Sequence, residues 1–206
     1  ATIDGRLAEL VESKSANAAA MAELQANHEV PPALLLVPPA VAAIAHARAV
    51  FNAGPANPDE VRLAALYEAE AAALDQVETL LSGWASRGAV GESGVETFYH
   101  SPAPGEADDA VATMLFHAWY RTLMDRLLGD EDIGFIFHGN RLSFTLIPRT
   151  LHWLLDGRGP DNPRSLASWN PETGESAFFD ILGTDLVERS DEVVLMALTD
   201  VLTDLR

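Results

Sequence analysis

The sequence predicts a mainly α fold: several packed amphipathic helices joined by long loops, with at most a short β-hairpin. Three observations predict it. Hydrophobic residues make up 48% of the 206 residues, and much of that share is alanine, which favours helix. Capping signals recur ahead of apolar stripes with helical spacing. Strand-like alternation is confined to one short stretch.

The elements follow in chain order. Ile3 to Val11 reads as a short helix, and Ser15 caps another running to about His28. Pro31 and Pro32 end it, because proline lacks an amide hydrogen and crowds the preceding turn. The stretch Ala33 to Ala45 is the most apolar of the chain, but Pro38 and Pro39 interrupt it. No apolar run then approaches the roughly 20 residues that span a bilayer.

The clearest helix starts at Asn57-Pro58-Asp59-Glu60. Asn57 is a good cap, Pro58 suits the first helical position, and the two acids meet the positive end of the helix dipole. Leu63, Tyr67, Leu74, Val77, Leu81 and Trp84 form its stripe, which ends near Gly83 to Gly88. A second long helix is expected from about Asp108 to Leu128, stopped by Gly129. Its stripe is Val111, Met114, Leu115, Ala118, Trp119, Thr122 and Arg126, broadened by Leu123 and Leu127.

Phe135-Ile136-Phe137 and Leu142 to Ile147 are the hairpin candidates, around Gly139-Asn140. Ser190 is the expected cap of a last helix, whose face is Val194, Ala197, Leu198, Val201, Leu202 and Leu205. The connections Gly88 to Ala107 and Gly157 to Ala177 are long and rich in Gly, Pro, Ser and acid. Loops of that length are usually functional or rest on something outside the chain. The chain reads as one helical segment, 1–206, with subregions 1–56 (short helices), 57–129 (two long helices) and 130–206 (mixed loops and helices). Ala1 is not an initiator methionine and the last apolar face is barely three turns long, so the segment reads as excised from a larger protein.

Charge and composition exclude several functions. With 31 Asp and Glu against 13 Lys and Arg, the formal net charge is −18. Such a field repels phosphate backbones and anionic lipid, so neither nucleic acid nor membrane is an expected partner. There is no cysteine, which removes disulfides, thiolate metal sites and a cysteine nucleophile.

A search for chemistry finds no complete active site. The histidines His28, His46, His100, His117, His138 and His152 include no i, i+4 pair with a nearby acid, as a helical zinc site needs. His117 and His152 sit beside tryptophans and read as packed, hydrogen-bonded side chains; His138-Gly139-Asn140 reads as a turn. Asp108-Asp109 fits a helix start, and Asp130-Glu131-Asp132 lacks the alternating oxygen ligands of a calcium loop. No nucleophile elbow, phosphate-cradling glycine loop or S-x-x-K motif occurs. Of Trp84, Trp119, Trp153 and Trp169, three lie on apolar helical faces and read as core.

Several segments, in order, resemble the penicillin amidase (penicillin acylase) family of N-terminal-nucleophile hydrolases. Arg6-Leu7-Ala8-Glu9-Leu10 and Met21-Ala22-Glu23-Leu24-Gln25 resemble the family's R-[IL]-x-x-L and M-x-x-L-Q helices. Leu80 to Trp84 resembles the end of a long tryptophan-bearing helix. Asp109 to Phe116 with Ala118-Trp119 is similar to A-A-T-L-F-x-A-W. Phe178-Phe179-Asp180, Thr184 and Glu188, leading into Glu192 to Leu198, resemble W-F-D…T…E…A-L. The chain departs from the pattern at Phe178, where tryptophan is common, at the proline-bearing stretch Leu34 to Ala45, and in its long loop Glu92 to Gly105. A W-x-W-G-x-x-H-like ending is missing.

The resemblance implies a helical segment of the large chain of an amidohydrolase whose substrates are acylated small molecules, of the β-lactam side-chain, acyl-homoserine lactone or lipopeptide type. In the family a serine freed by self-cleavage supplies the hydroxyl nucleophile and the α-amine base, while an asparagine and a backbone amide hold the oxyanion. Those groups belong to a sheet sandwich upstream, and Ala1 has no hydroxyl to replace the serine. Calcium, where family members bind it, is likewise held upstream. No catalytic, cofactor-binding or metal residue therefore transfers to this chain, and the isolated chain is expected to be inactive. The implied partners are the small chain and catalytic sandwich of the parent and its amide substrate; the implied location of the parent is periplasmic or secreted. A stand-alone, non-catalytic helical binding or scaffold protein is the alternative.

Overall fold

The computed structural model describes residues 32–89, 105–128, 148, 151, 152, 155, 169–170, 175–181 and 184–205. The chain divides after Pro31, and all described residues lie in the unit from Pro32 to Arg206. The expected helices before Pro31, the hairpin around Gly139-Asn140 and most of both long connections fall outside the described residues.

The fold is mainly α. Four helices make the described part: α1 (Pro32–Ala53), α2 (Pro58–Ser86), α3 (Glu106–Leu128) and α4 (Ser190–Asp204). A two-residue antiparallel pair, Trp169–Asn170 with Glu175–Ser176, and a 3-10 turn, Ala177–Phe179, precede the last helix.

Helix α1 corrects the sequence expectation, because it runs unbroken through Pro38 and Pro39. Proline at position 39 removes the N–H that would reach the Leu35 carbonyl. His152 replaces it: its Nδ1 donates to Leu35 O at 3.0 Å. Of the two interior prolines, Pro39 is tolerated because the carbonyl it orphans is satisfied from a distant element. At 22 residues α1 is also long and apolar enough, by those criteria alone, to cross a membrane. In this fold Leu36, Val37, Ala40, Ala43, Ile44 and Ala47 are buried, and the helix packs against α2 and α4.

Helix α2 starts as its sequence dictates. Asn57 Oδ1 accepts from Glu60 N at 3.0 Å, and the Glu60 carboxylate reaches back to Ala56 N at 2.6 Å. This reciprocal cap satisfies two of the donors a helix start leaves free. The expected stripe from Leu63 to Trp84 is buried. Glu70 interrupts the helix with φ −134° and ψ 22°, and Tyr67 spans the interruption by donating to Asp75 at 2.9 Å. At the end, Gly88 N meets Ala85 O and Ala89 N meets Trp84 O, both at 3.0 Å. That pairing needs a left-handed residue after the helix, and Gly88 supplies it at φ +95°.

The buried face of α3 is rotated from the expected one. Ala112, Leu115, Phe116, Trp119, Leu123 and Leu127 are buried, whereas Val111 and Met114 are exposed. Phe116, absent from the expected stripe, decides the rotation, since its ring lies 5.6 Å from Trp84 and 5.9 Å from Trp119. Burying three adjacent aromatic rings outweighs burying one valine and one methionine. Asp109 is also more than a dipole-favoured acid, because it takes the Arg87 guanidinium, with Nε at 3.0 Å, and ties the end of α2 to the start of α3.

Helix α4 packs against each of the other three, so its first turn is buried rather than solvated. Ser190, Asp191, Glu192, Val193, Val194 and Leu195 are all buried. Ser190 is the first helical residue and not the cap; Arg189 occupies the cap position and makes no side-chain capping bond. Leu205, expected on the apolar face, is exposed.

Candidate functional site

One group of charged side chains gathers where the first turns of α2 and α4 approach His46 of α1. Arg62 lies at the centre. Its Nε donates to Glu192 Oε1 at 2.7 Å and its Nη2 to Glu192 Oε2 at 3.2 Å, a two-pronged pairing of planar groups. The same Nη2 reaches Asp59 at 3.1 Å and the Val187 carbonyl at 3.4 Å. Hydrogen bonding to Glu192 raises the Arg62 pKa above its ordinary value. Arg189 reaches the other oxygen of Asp59 at 3.2 Å.

His46 of α1 completes the cluster, with Nδ1 2.7 Å from Asp191 Oδ2. The imidazole is half exposed while the Asp191 side chain is 11% exposed. Against a carboxylate, Nδ1 is the donor, so Nε2 is the nitrogen that can exchange a proton. His46, Asp59, Glu60, Leu63, Arg189, Asp191 and Glu192 line a cavity of about 90 Å³, enough for a few waters. The described residues that line it supply carboxylates, an imidazole and a guanidinium. Among the described residues no group of three or more His, Asp or Glu side chains is arranged to hold a metal ion.

A second cluster joins α1 to α2 further along. Arg48 donates to Glu78 Oε2 at 2.6 Å and to Asp75 at 3.0 Å, and Asp75 also accepts from Tyr67. Burial, then the neighbouring Asp75, pushes the Tyr67 phenol above its ordinary value. Arg126, expected on the apolar stripe of α3, instead pairs with Asp200 of α4 at 2.8 Å.

Of the histidines singled out from sequence, His152 is the half-buried donor to Leu35 O and His117 is exposed beside Phe116, with rings 5.5 Å apart. His28, His100 and His138 lie outside the described residues, as do Asp130-Glu131-Asp132 and Trp153. Trp84 and Trp119 are core, as read. Sequence reasoning missed His46, because its partner stands 145 positions away and no local spacing signals the pair.

The loop before α4 is held by a buried acid. Glu188 accepts from Ile181 N at 3.0 Å through one oxygen and from Thr184 Oγ1 at 2.8 Å through the other. Thr184 Oγ1 also lies 3.2 Å from Ile181 O and 2.9 Å from Leu186 O. Deep in the core, Trp119 Nε1 donates to Val194 O at 3.2 Å and fastens α3 to α4. Fold and site together define a helical packing unit braced by inter-helix ion pairs. Compared with known families, with curated proteins and with solved structures, the chain matches none.

Proposed function

We propose that this chain is a helical structural segment of a penicillin-acylase-like amidohydrolase, which hydrolyses an amide bond of an acylated small molecule and whose catalytic sandwich the segment supports. One observation supports the reading: the resembling segments that fall within the described residues, far apart in sequence, share a single core. Trp84, Phe116, Trp119, Phe179, Val194 and Leu198 belong to one buried cluster. The Trp119 indole bonds Val194 across it, and Thr184 bonds Glu188 where the resemblance places both residues. Motif residues that pack on one another explain why helix and core residues, rather than polar chemistry, carry the likeness.

On this reading the nucleophile, the oxyanion donors and any calcium site lie elsewhere in the parent. The partners are its small chain and catalytic sandwich, and the parent is periplasmic or secreted. The test is the native gene product. Its intact mass and N-terminal residues are expected to reveal a polypeptide of several hundred residues with a serine freed upstream, hydrolysing an acyl amide. A native product lacking that upstream region, or amide turnover by the pure 206-residue chain, would overturn the reading; the first outcome would favour a helical binding module.

A further inference from the structure

Helix α2 breaks where its sequence gives no local reason to. Glu68-Ala69-Glu70-Ala71-Ala72-Ala73 is built of strong helix formers, and neither proline nor glycine occurs between Pro58 and Gly83. Kinks ordinarily trace to such residues, yet Glu70 takes φ −134° and ψ 22°. The cause lies in the pattern of the buried stripe. Leu63, Tyr67, Leu74, Val77, Leu81 and Trp84 follow one another at spacings of three and four, except for a single gap of seven between Tyr67 and Leu74. Glu70 fills that gap, three residues after Tyr67 and four before Leu74. A straight α2 would therefore set a carboxylate in the middle of an apolar seam whose other positions all belong to the core. Burying that charge among apolar side chains costs more than loosening a few helical hydrogen bonds.

The broken helix gives Glu70 another place. It is half-buried on a groove of about 440 Å³ that it shares with Leu66 and Ala69 of α2 and with Met196 and Thr199 of α4. The two halves are held separately: Arg62 pairs the first with Glu192 of α4, and Asp75 and Glu78 pair the second with Arg48 of α1. Tyr67 of the first half donates to Asp75 of the second at 2.9 Å. Eight residues span about 12 Å of a straight helix, and helical side chains lean towards the N-terminus, so a straight α2 would carry Tyr67 away from Asp75. We infer that α2 is a two-state helix with Glu70 as its latch: the charged carboxylate keeps the halves apart, and removing that charge lets them join and turns position 70 from the groove into the core.

Backbone NMR of the 206-residue chain and its variants tests the latch. The helical hydrogen bonds that span position 70 are donated by the amides of Ala71, Ala72 and Ala73. Glu70→Leu is expected to move the Cα chemical shift at position 70 to a helical value and to slow exchange of those three amides about tenfold or more. Glu70→Gln, which keeps the size and loses the charge, is expected to act in the same direction and decides the matter if the leucine variant does not fold. The pattern of the unsubstituted chain in either variant overturns the inference. Glu70→Asp keeps the charge and should keep the break; a straight α2 there would make side-chain length, not charge, the cause and overturn the latch. Tyr67→Phe removes the bond to Asp75 and leaves the carboxylate, so the break should persist. If that variant straightens α2, the tyrosine–aspartate bond holds the break and the assignment to Glu70 is wrong.

Discussion

Replacing His152 should reveal how α1 keeps its course through Pro39. His152 Nδ1 donates to the Leu35 carbonyl at 3.0 Å, the acceptor that Pro39 cannot serve. His152→Leu keeps an apolar body and removes the donor. A buried acceptor left without its partner costs about 1–3 kcal/mol. His152 is only half-buried, so water recovers part of that and about 1 kcal/mol is expected. Pro39→Ala supplies a backbone N–H in α1 that can reach Leu35 O, so in that background His152→Leu should cost less. The difference between the two costs is a coupling energy, expected at about 1 kcal/mol. Any other contact of His152 is common to both arms and cancels. Urea unfolding followed by helical circular dichroism measures all four proteins. Equal costs of His152→Leu in the two backgrounds would refute the account of α1, since His152 would then not be the substitute donor.

Other expected outcomes follow from the same geometry. Trp119→Phe removes the indole donor to Val194 O and should cost about 1 kcal/mol, against about 3–5 for Trp119→Ala, which also opens a cavity; urea midpoints separate them. Arg62→Met strands the buried Glu192 carboxylate, 7% exposed, and should cost about 3 kcal/mol, with Arg62→Met/Glu192→Leu recovering most of it because breaking a buried pair costs more than replacing it. Tyr120 is half-buried, stacked on Phe116 at a ring distance of 6.1 Å, and burial pushes its phenol well above the usual range. Its folded-state value exceeds the unfolded one, so the stability it contributes is complete below about pH 10 and is lost as pH rises beyond that. Alkaline unfolding of Tyr120→Phe should therefore begin at higher pH than that of the parent chain, and identical profiles would contradict the assignment.

Helix α2 was legible because both its cap and its stripe are local: Asn57, Pro58 and Glu60 act within one turn, and Leu63 to Trp84 repeat at helical spacing on one face. The rotation of α3 was not legible. Its choice between Val111-Met114 and Ala112-Phe116 depends on Trp84, which stands on another helix. The course of α1 was hidden for the same reason, since the donor that rescues Leu35 O is 117 positions away. The burial of Asp191 and Glu192 at the start of α4 was not legible either, because their partners Arg62 and His46 are brought in by α2 and α1. Chemistry that spans elements leaves little trace in local spacing.

Whether this helical unit belongs to a larger amidohydrolase is decided most directly by the native gene product. Intact mass and N-terminal sequencing of the protein purified from its source are expected to give a polypeptide of several hundred residues, with a serine at a new N-terminus upstream of Ala1. A native product with no such upstream region would contradict the central claim and leave a helical binding module braced by Arg62 and His46.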